Sequence, residues 1–87
     1  MSYYLLLSRS ITHAQRMSAV LERAGIAARF FRAPMGLTTR GCSYAVRIAG
    51  RHFQRALALL RQSGPHPVSV FYDDGGGALR EVVLPRR

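Results

Sequence analysis

The order of short apolar runs and helical repeats constrains the fold of this chain more than any other feature. Residues 3–8 form an apolar run that is too short for a helix and is bounded by polar residues, which predicts a buried strand. Over residues 10–24, apolar side chains recur at helical spacing, and Gly25 is a residue type that commonly ends a helix. The chain therefore begins with a strand and an amphipathic helix.

The remaining pattern predicts four further strands and a second helix. The predicted strands are 26–33, ended by Pro34, 44–48, followed by Gly50, and 68–72 and 79–84 around a turn signal at 73–77. The predicted second helix has Phe53, Ala56, Leu57 and Leu60 on one face and stops at 63–65. This order favours an α+β fold, a ferredoxin-like βαββαβ sandwich with a C-terminal β-hairpin extension. Both helices would then cover one face of the sheet.

The length and the absence of targeting signals predict a single domain over residues 1–87. No apolar run is long enough to cross a bilayer, so no membrane association is expected. The first residues lack the basic start and apolar stretch of a secretory signal, and one unpaired cysteine suits a reducing compartment. These features predict a cytoplasmic protein.

The charge is strongly positive, with a formal net value of +9, and every basic side chain is an arginine. Such an excess favours acidic partners, which include acidic proteins, anionic small molecules and nucleic acid. The arginines are, however, spread evenly along the chain rather than clustered, as on a generic solvated surface. Nucleic acid is therefore the weaker expectation for a partner.

Cys42 is the only cysteine and lies between a loop rich in glycine and threonine and the predicted third strand. It cannot form a disulfide within the chain, and a thiol on a loop is a candidate for sulfur chemistry. The alternative is that Cys42 is a small buried apolar residue, as free cysteine often is. The spacing alone does not decide between these two roles.

The predicted topology places the third strand between the first two and antiparallel to both, so its beginning lies beside the end of the first strand. Cys42 would then face residues 8–13, where the first helix begins and its N–H groups favour a thiolate, persulfide or selenide anion. Arg9 would reinforce this field. The predicted site has Cys42 as the reactive residue and six binding residues, Ser10, Thr12, His13, Arg40, Gly41 and Ser43.

Other roles remain open for several of these residues. Ordinary helix capping accounts for Ser10 and Thr12, and Gln15 follows Thr12 in the pattern of a capping box. His52 and His66 have no cysteine or carboxylate at ligand spacing, so neither a metal site nor a cofactor is predicted.

Three segments resemble the small bacterial family of selenium/sulfur (Se/S) carrier protein-like domains. They are the run from Ser10 to Ala14, the run from Leu21 to Ile26, and the stretch from Pro34 through Cys42 to Ile48. The likeness covers roughly residues 3 to 60. It implies that Cys42 is the carrier residue and holds the sulfur or selenium.

The leading functional prediction is a carrier rather than an enzyme, in which Cys42 accepts sulfur or selenium from a donor protein and passes it to an acceptor protein. One alternative is a ferredoxin-like basic binding or regulatory module, for RNA or a protein partner, in which Cys42 is incidental. Its stacking rings would come from six strand residues, Tyr3, Tyr4, Phe30, Phe31, Phe71 and Tyr72. Another is a small subunit that docks or forms a homodimer through a sheet edge.

Overall fold

The computed structural model describes residues 2–34 and 44–83, which form two α-helices and five strands. The elements are β1 (Tyr3–Ser8), α1 (Ile11–Arg23), β2 (Arg29–Arg32), β3 (Tyr44–Ala49), a 3₁₀ turn (Gly50–His52), α2 (Phe53–Ser63), β4 (Ser69–Asp73) and β5 (Leu79–Val82). Neither helix is long and apolar enough to cross a membrane.

The strands form one antiparallel sheet in the order β2-β3-β1-β4-β5. The predicted α+β class is confirmed, and so is the placement of β3 between β1 and β2. Tyr44, the first residue of β3, pairs with Ser8, the last residue of β1. The beginning of β3 and the start of α1 therefore meet at the same end of the sheet.

The main core lies between the sheet and the two helices. It contains Leu6 of β1, Val46 of β3, Met17 and Leu21 of α1, and Leu60 of α2, none of which is exposed to solvent. Burial of each such side chain stabilises the fold by about 1.5–3 kcal/mol. This packing holds both helices against one face of the sheet.

The C-terminus of α1 explains why β2 is shorter than the predicted strand at 26–33. Gly25 has a positive φ of 84°, and the Ile26 N–H donates to the Leu21 carbonyl at 2.9 Å, so the chain turns sharply after the helix. Ala28 then bonds to α1 rather than to a strand, because its N–H donates to the Glu22 carboxylate and its carbonyl accepts from Ser18. The sheet pairing consequently begins at Arg29.

The other face of the sheet carries a second cluster of apolar residues, in which Leu5, Leu7, Ala45 and Phe71 are buried. The hairpin between β4 and β5 is confirmed. Its turn is organised by Asp73, whose carboxylate accepts from the Gly75 N–H at 2.8 Å. β5 ends at Val82, whereas the sequence predicted a strand to residue 84, which lies outside the described residues.

Candidate functional site

The buried hydroxyl of Ser8 lies where β1, α1 and β3 meet. Its Oγ is 3.1 Å from the Ser10 carbonyl oxygen and 3.3 Å from the Tyr44 carbonyl oxygen. A hydroxyl has a single hydrogen, so the two carbonyl groups share this donor. Ser8 therefore fixes the start of α1 relative to the start of β3.

Ser10 caps α1. Its backbone is extended, with φ −147° and ψ 164°, and its Oγ accepts from the His13 N–H at 3.1 Å. Thr12 is exposed within the first turn, so the prediction of a capping box between Thr12 and Gln15 is wrong. The reason is that the helix begins directly after Ser10, which places Thr12 inside it.

A cavity of about 720 Å³ opens beside this helix N-terminus. Arg9, Ser10 and His13 line it on one side, and the segment before β4 lines it on the other with His66, Pro67 and Val68. The Val68 N–H donates to the Leu7 carbonyl at 2.8 Å, which holds that segment against the end of β1. The cavity is therefore framed by two separate parts of the chain.

The electrostatics of the cavity favour an anion. Arg9 contributes a positive charge, and the N-terminus of a helix carries about half a positive charge together with free N–H donors. The Nδ1 atom of His13 is buried and has no hydrogen-bond partner.

The structure brings two of the predicted site residues, Ser10 and His13, into this cavity. Thr12 lies in the same turn but is not among the residues that line it. The other four predicted residues, Arg40, Gly41, Cys42 and Ser43, lie outside the described residues. Among the residues that are described, no group of three or more potential metal ligands is present.

The sequence reasoning missed Ser8 and His66. A signal for His66 was available, because a fourth strand antiparallel to β1 must begin beside the end of β1, and His66 shortly precedes it. Ser8 gave no such signal, since a serine at the end of a strand is equally compatible with solvent exposure. The burial of Ser8 and the two hydrogen-bond contacts of its hydroxyl show that the hydroxyl is enclosed.

Several strand aromatic rings considered for RNA stacking serve the core instead. The Tyr4 ring stacks on Phe53 with centroids 3.7 Å apart, Phe30 packs against the main core, and Phe71 is only 6% exposed. Base stacking requires an accessible ring face. These three rings therefore do not support an RNA-binding platform on the sheet.

A comparison with models of protein families identifies a family that matches most of the chain. The model of a family described as "Putative Se/S carrier protein-like" matches residues 3–72, which include both helices and strands β1, β2 and β3. No curated protein and no solved structure matches the chain significantly. The matched region contains Ser10, His13 and Cys42 and ends before β5.

Proposed function

Because this chain belongs to the Se/S carrier protein-like family, we propose that it carries sulfur or selenium on Cys42 and delivers it to a partner protein. In this proposal the protein is a carrier rather than an enzyme. It requires a donor protein that loads Cys42 and an acceptor protein that unloads it. A protein that carries a sulfur atom between two other proteins needs that atom to be exposed and exchangeable. It does not need a large active site.

The main structural support for the proposal is that the end of β1, the start of α1 and the start of β3 lie together. Tyr44 pairs with Ser8, and the Ser8 hydroxyl links the carbonyl groups of Tyr44 and Ser10. Cys42 precedes Tyr44 by only two residues in the sequence. This short separation in sequence from a residue beside the start of α1 supports a role for the α1 N-terminus in the chemistry of the thiol.

The loading step requires a thiolate. The Cys42 sulfur attacks the outer sulfur of a donor persulfide, a new S–S bond forms on Cys42, and the donor leaves as its own thiolate. On unloading, an acceptor nucleophile attacks the same outer atom and Cys42 leaves as the thiolate. No electrons are gained or lost overall, because a sulfane sulfur is transferred and no other oxidant is required.

The remaining predicted residues have supporting roles in this proposal. Ser10 fixes the helix N-terminus, and His13 lines the cavity that receives the anion. Thr12 offers an exposed hydroxyl in the first turn of α1. The loop residues Arg40, Gly41 and Ser43 flank the thiol in sequence, with Arg40 adding positive charge.

We also propose that the whole chain forms one Se/S carrier-like domain with the ferredoxin-like arrangement. Two features support the fold assignment: each helix connects two strands that have another strand between them, and β1 and β3 are the neighbours in the middle of the order β2-β3-β1-β4. β5 then extends the sheet as the second strand of the terminal hairpin.

Intact-mass measurement after incubation with a persulfide donor tests the function. The wild-type protein should gain one sulfur, about 32 Da, and Cys42→Ser should gain nothing, since a hydroxyl does not hold a sulfane sulfur. Sulfinic acid adds nearly the same mass but resists thiol reductants, so the gain must also be reversed by a reductant. An unmodified wild-type protein, or an equally loaded serine variant, would show that Cys42 is structural.

A further inference from the structure

A groove of about 420 Å³ lies at the opposite end of the sheet from the cavity beside α1. Arg29 of β2, Arg47 of β3 and Arg51 of the 3₁₀ turn line it, together with His52 and the ring of Tyr3. All three arginines are exposed. The rest of the lining consists of Glu22 and three small side chains, Ala27, Ala28 and Ala49, which leave room for a ligand near the backbone.

These arginines have no ion-pair partner in the part of the chain that the structure describes. The chain has only four acidic side chains, and one of them, Glu22, itself lines the groove. The Glu22 carboxylate accepts from the Ala28 N–H at 2.8 Å, and the Asp73 carboxylate accepts from Gly75. Three guanidinium groups and one carboxylate therefore leave the groove with a net positive charge.

The arrangement also places like charges directly against each other. Arg29 and Arg47 are cross-strand partners in the β2–β3 register, and like charges in such pairs destabilise a sheet. The Arg47 guanidinium packs 4.6 Å from the centre of the Tyr3 ring, which orients its planar group at the groove. A ligand with several negative oxygens would relieve the repulsion and would match the fork geometry of arginine.

We propose that this groove binds a soluble compound with two or more adjacent phosphate groups. Three guanidinium groups around one groove can each form paired hydrogen bonds to phosphate oxygens, so a single phosphate would not occupy them all. The compact site favours a small ligand over an extended nucleic acid. A strand crossing the sheet from this groove would meet Asp73 on β4 and Glu81 on β5, which would repel its backbone.

Calorimetric titration with sodium triphosphate and with ADP tests this inference at low and at physiological salt. The key variant is Arg29→Gln/Arg51→Gln, and its control is Arg16→Gln/Arg61→Gln, which removes the same charge from exposed helix positions. The first should weaken triphosphate binding by roughly tenfold or more, and the second by less than about threefold. Arg51→Gln alone, in the exposed turn, gives the same comparison if the double variant unfolds.

Equal weakening by both double variants would overturn the inference, because the effect would then come from net charge. So would the absence of triphosphate and ADP binding in the wild-type protein, or selective binding of transfer RNA with no binding of either small compound. Cys42→Ser should bind triphosphate like the wild-type protein, because the groove lies at the other end of the sheet. The experiments can therefore disprove phosphate binding at the groove without disproving the carrier function, and the reverse.

Discussion

At the scale of single residues, Ser8 shows how one buried hydroxyl can fix a functional region. It has no solvent exposure, and its Oγ is within hydrogen-bond distance of two carbonyl groups that belong to α1 and β3. An apolar residue at this position would leave both carbonyl oxygens without this donor. The position is therefore determined by hydrogen bonding rather than by packing alone.

Ser8→Ala should lower the free energy of unfolding by on the order of 1–3 kcal/mol, the usual cost when a buried hydrogen bond loses one partner. Urea denaturation followed by circular dichroism measures this change. Ser63→Ala is the matched control, since Ser63 is exposed at the end of α2 and should change stability little. Equal stability of the two variants would show that the Ser8 hydroxyl contributes nothing to the junction.

The proposed activation of the Cys42 thiol is also a property of a single residue. If the α1 N-terminus and the nearby arginines favour the thiolate, the pKa of Cys42 should lie below the unperturbed thiol value of about 8.5. The rate of reaction with iodoacetamide, followed against pH, gives this pKa. A midpoint at or above the unperturbed value would remove the argument for an activated thiol.

At the scale of elements, α1 was predictable because its signals are local. Apolar spacing, a serine at its start and Gly25 after its end all act within a few residues, and α1 begins directly after Ser10 and ends two residues before Gly25. β2 was predicted too long because Ala28 bonds to side chains of α1. An apolar pattern typical of a strand does not show that side chains of a neighbouring helix will take the backbone hydrogen bonds of one of its residues.

Gly25→Ala should destabilise the protein by about 1 kcal/mol, because an L-residue with a side chain is strained at a positive φ. A Cβ at this position would have no heavy atom within 4 Å, so the cost is conformational rather than steric. Gly25→Asn should cost less, since asparagine tolerates this conformation better. Thermal denaturation of both variants measures the difference, and an alanine variant as stable as wild type would contradict the role of the turn.

At the scale of the whole molecule, the sequence predicts the topology and the part of the proposed site at the α1 N-terminus. It does not predict the cavity. The meeting of β1, α1 and β3 follows from the order of elements, so Ser10 and His13 could be placed from the sequence. The contribution of His66 depends on how the segment before β4 packs against β1. The region around Cys42 stays a prediction, because it lies outside the described residues.

The net charge of +9 should produce weak, salt-sensitive binding to RNA. Such binding results from counterion release and carries no sequence preference, so it should fall steeply between low and physiological salt. Fluorescence anisotropy with transfer RNA and with unrelated single-stranded RNA measures it. Tight, sequence-selective binding at physiological salt that persists in Cys42→Ala would favour the RNA-binding alternative over the carrier.

The initial rate of sulfur loading, followed by time-resolved intact mass with a persulfide donor, tests most directly whether Cys42 works with the α1 N-terminus. Cys42→Ser should not load, and Ser10→Ala should load more slowly because it loses a cap worth about 1 kcal/mol. Thr12→Ala should have a smaller effect, and Ser63→Ala should load at the wild-type rate. Equal loading of Cys42→Ser and wild type, or wild-type rates in Ser10→Ala, would contradict this account of the site.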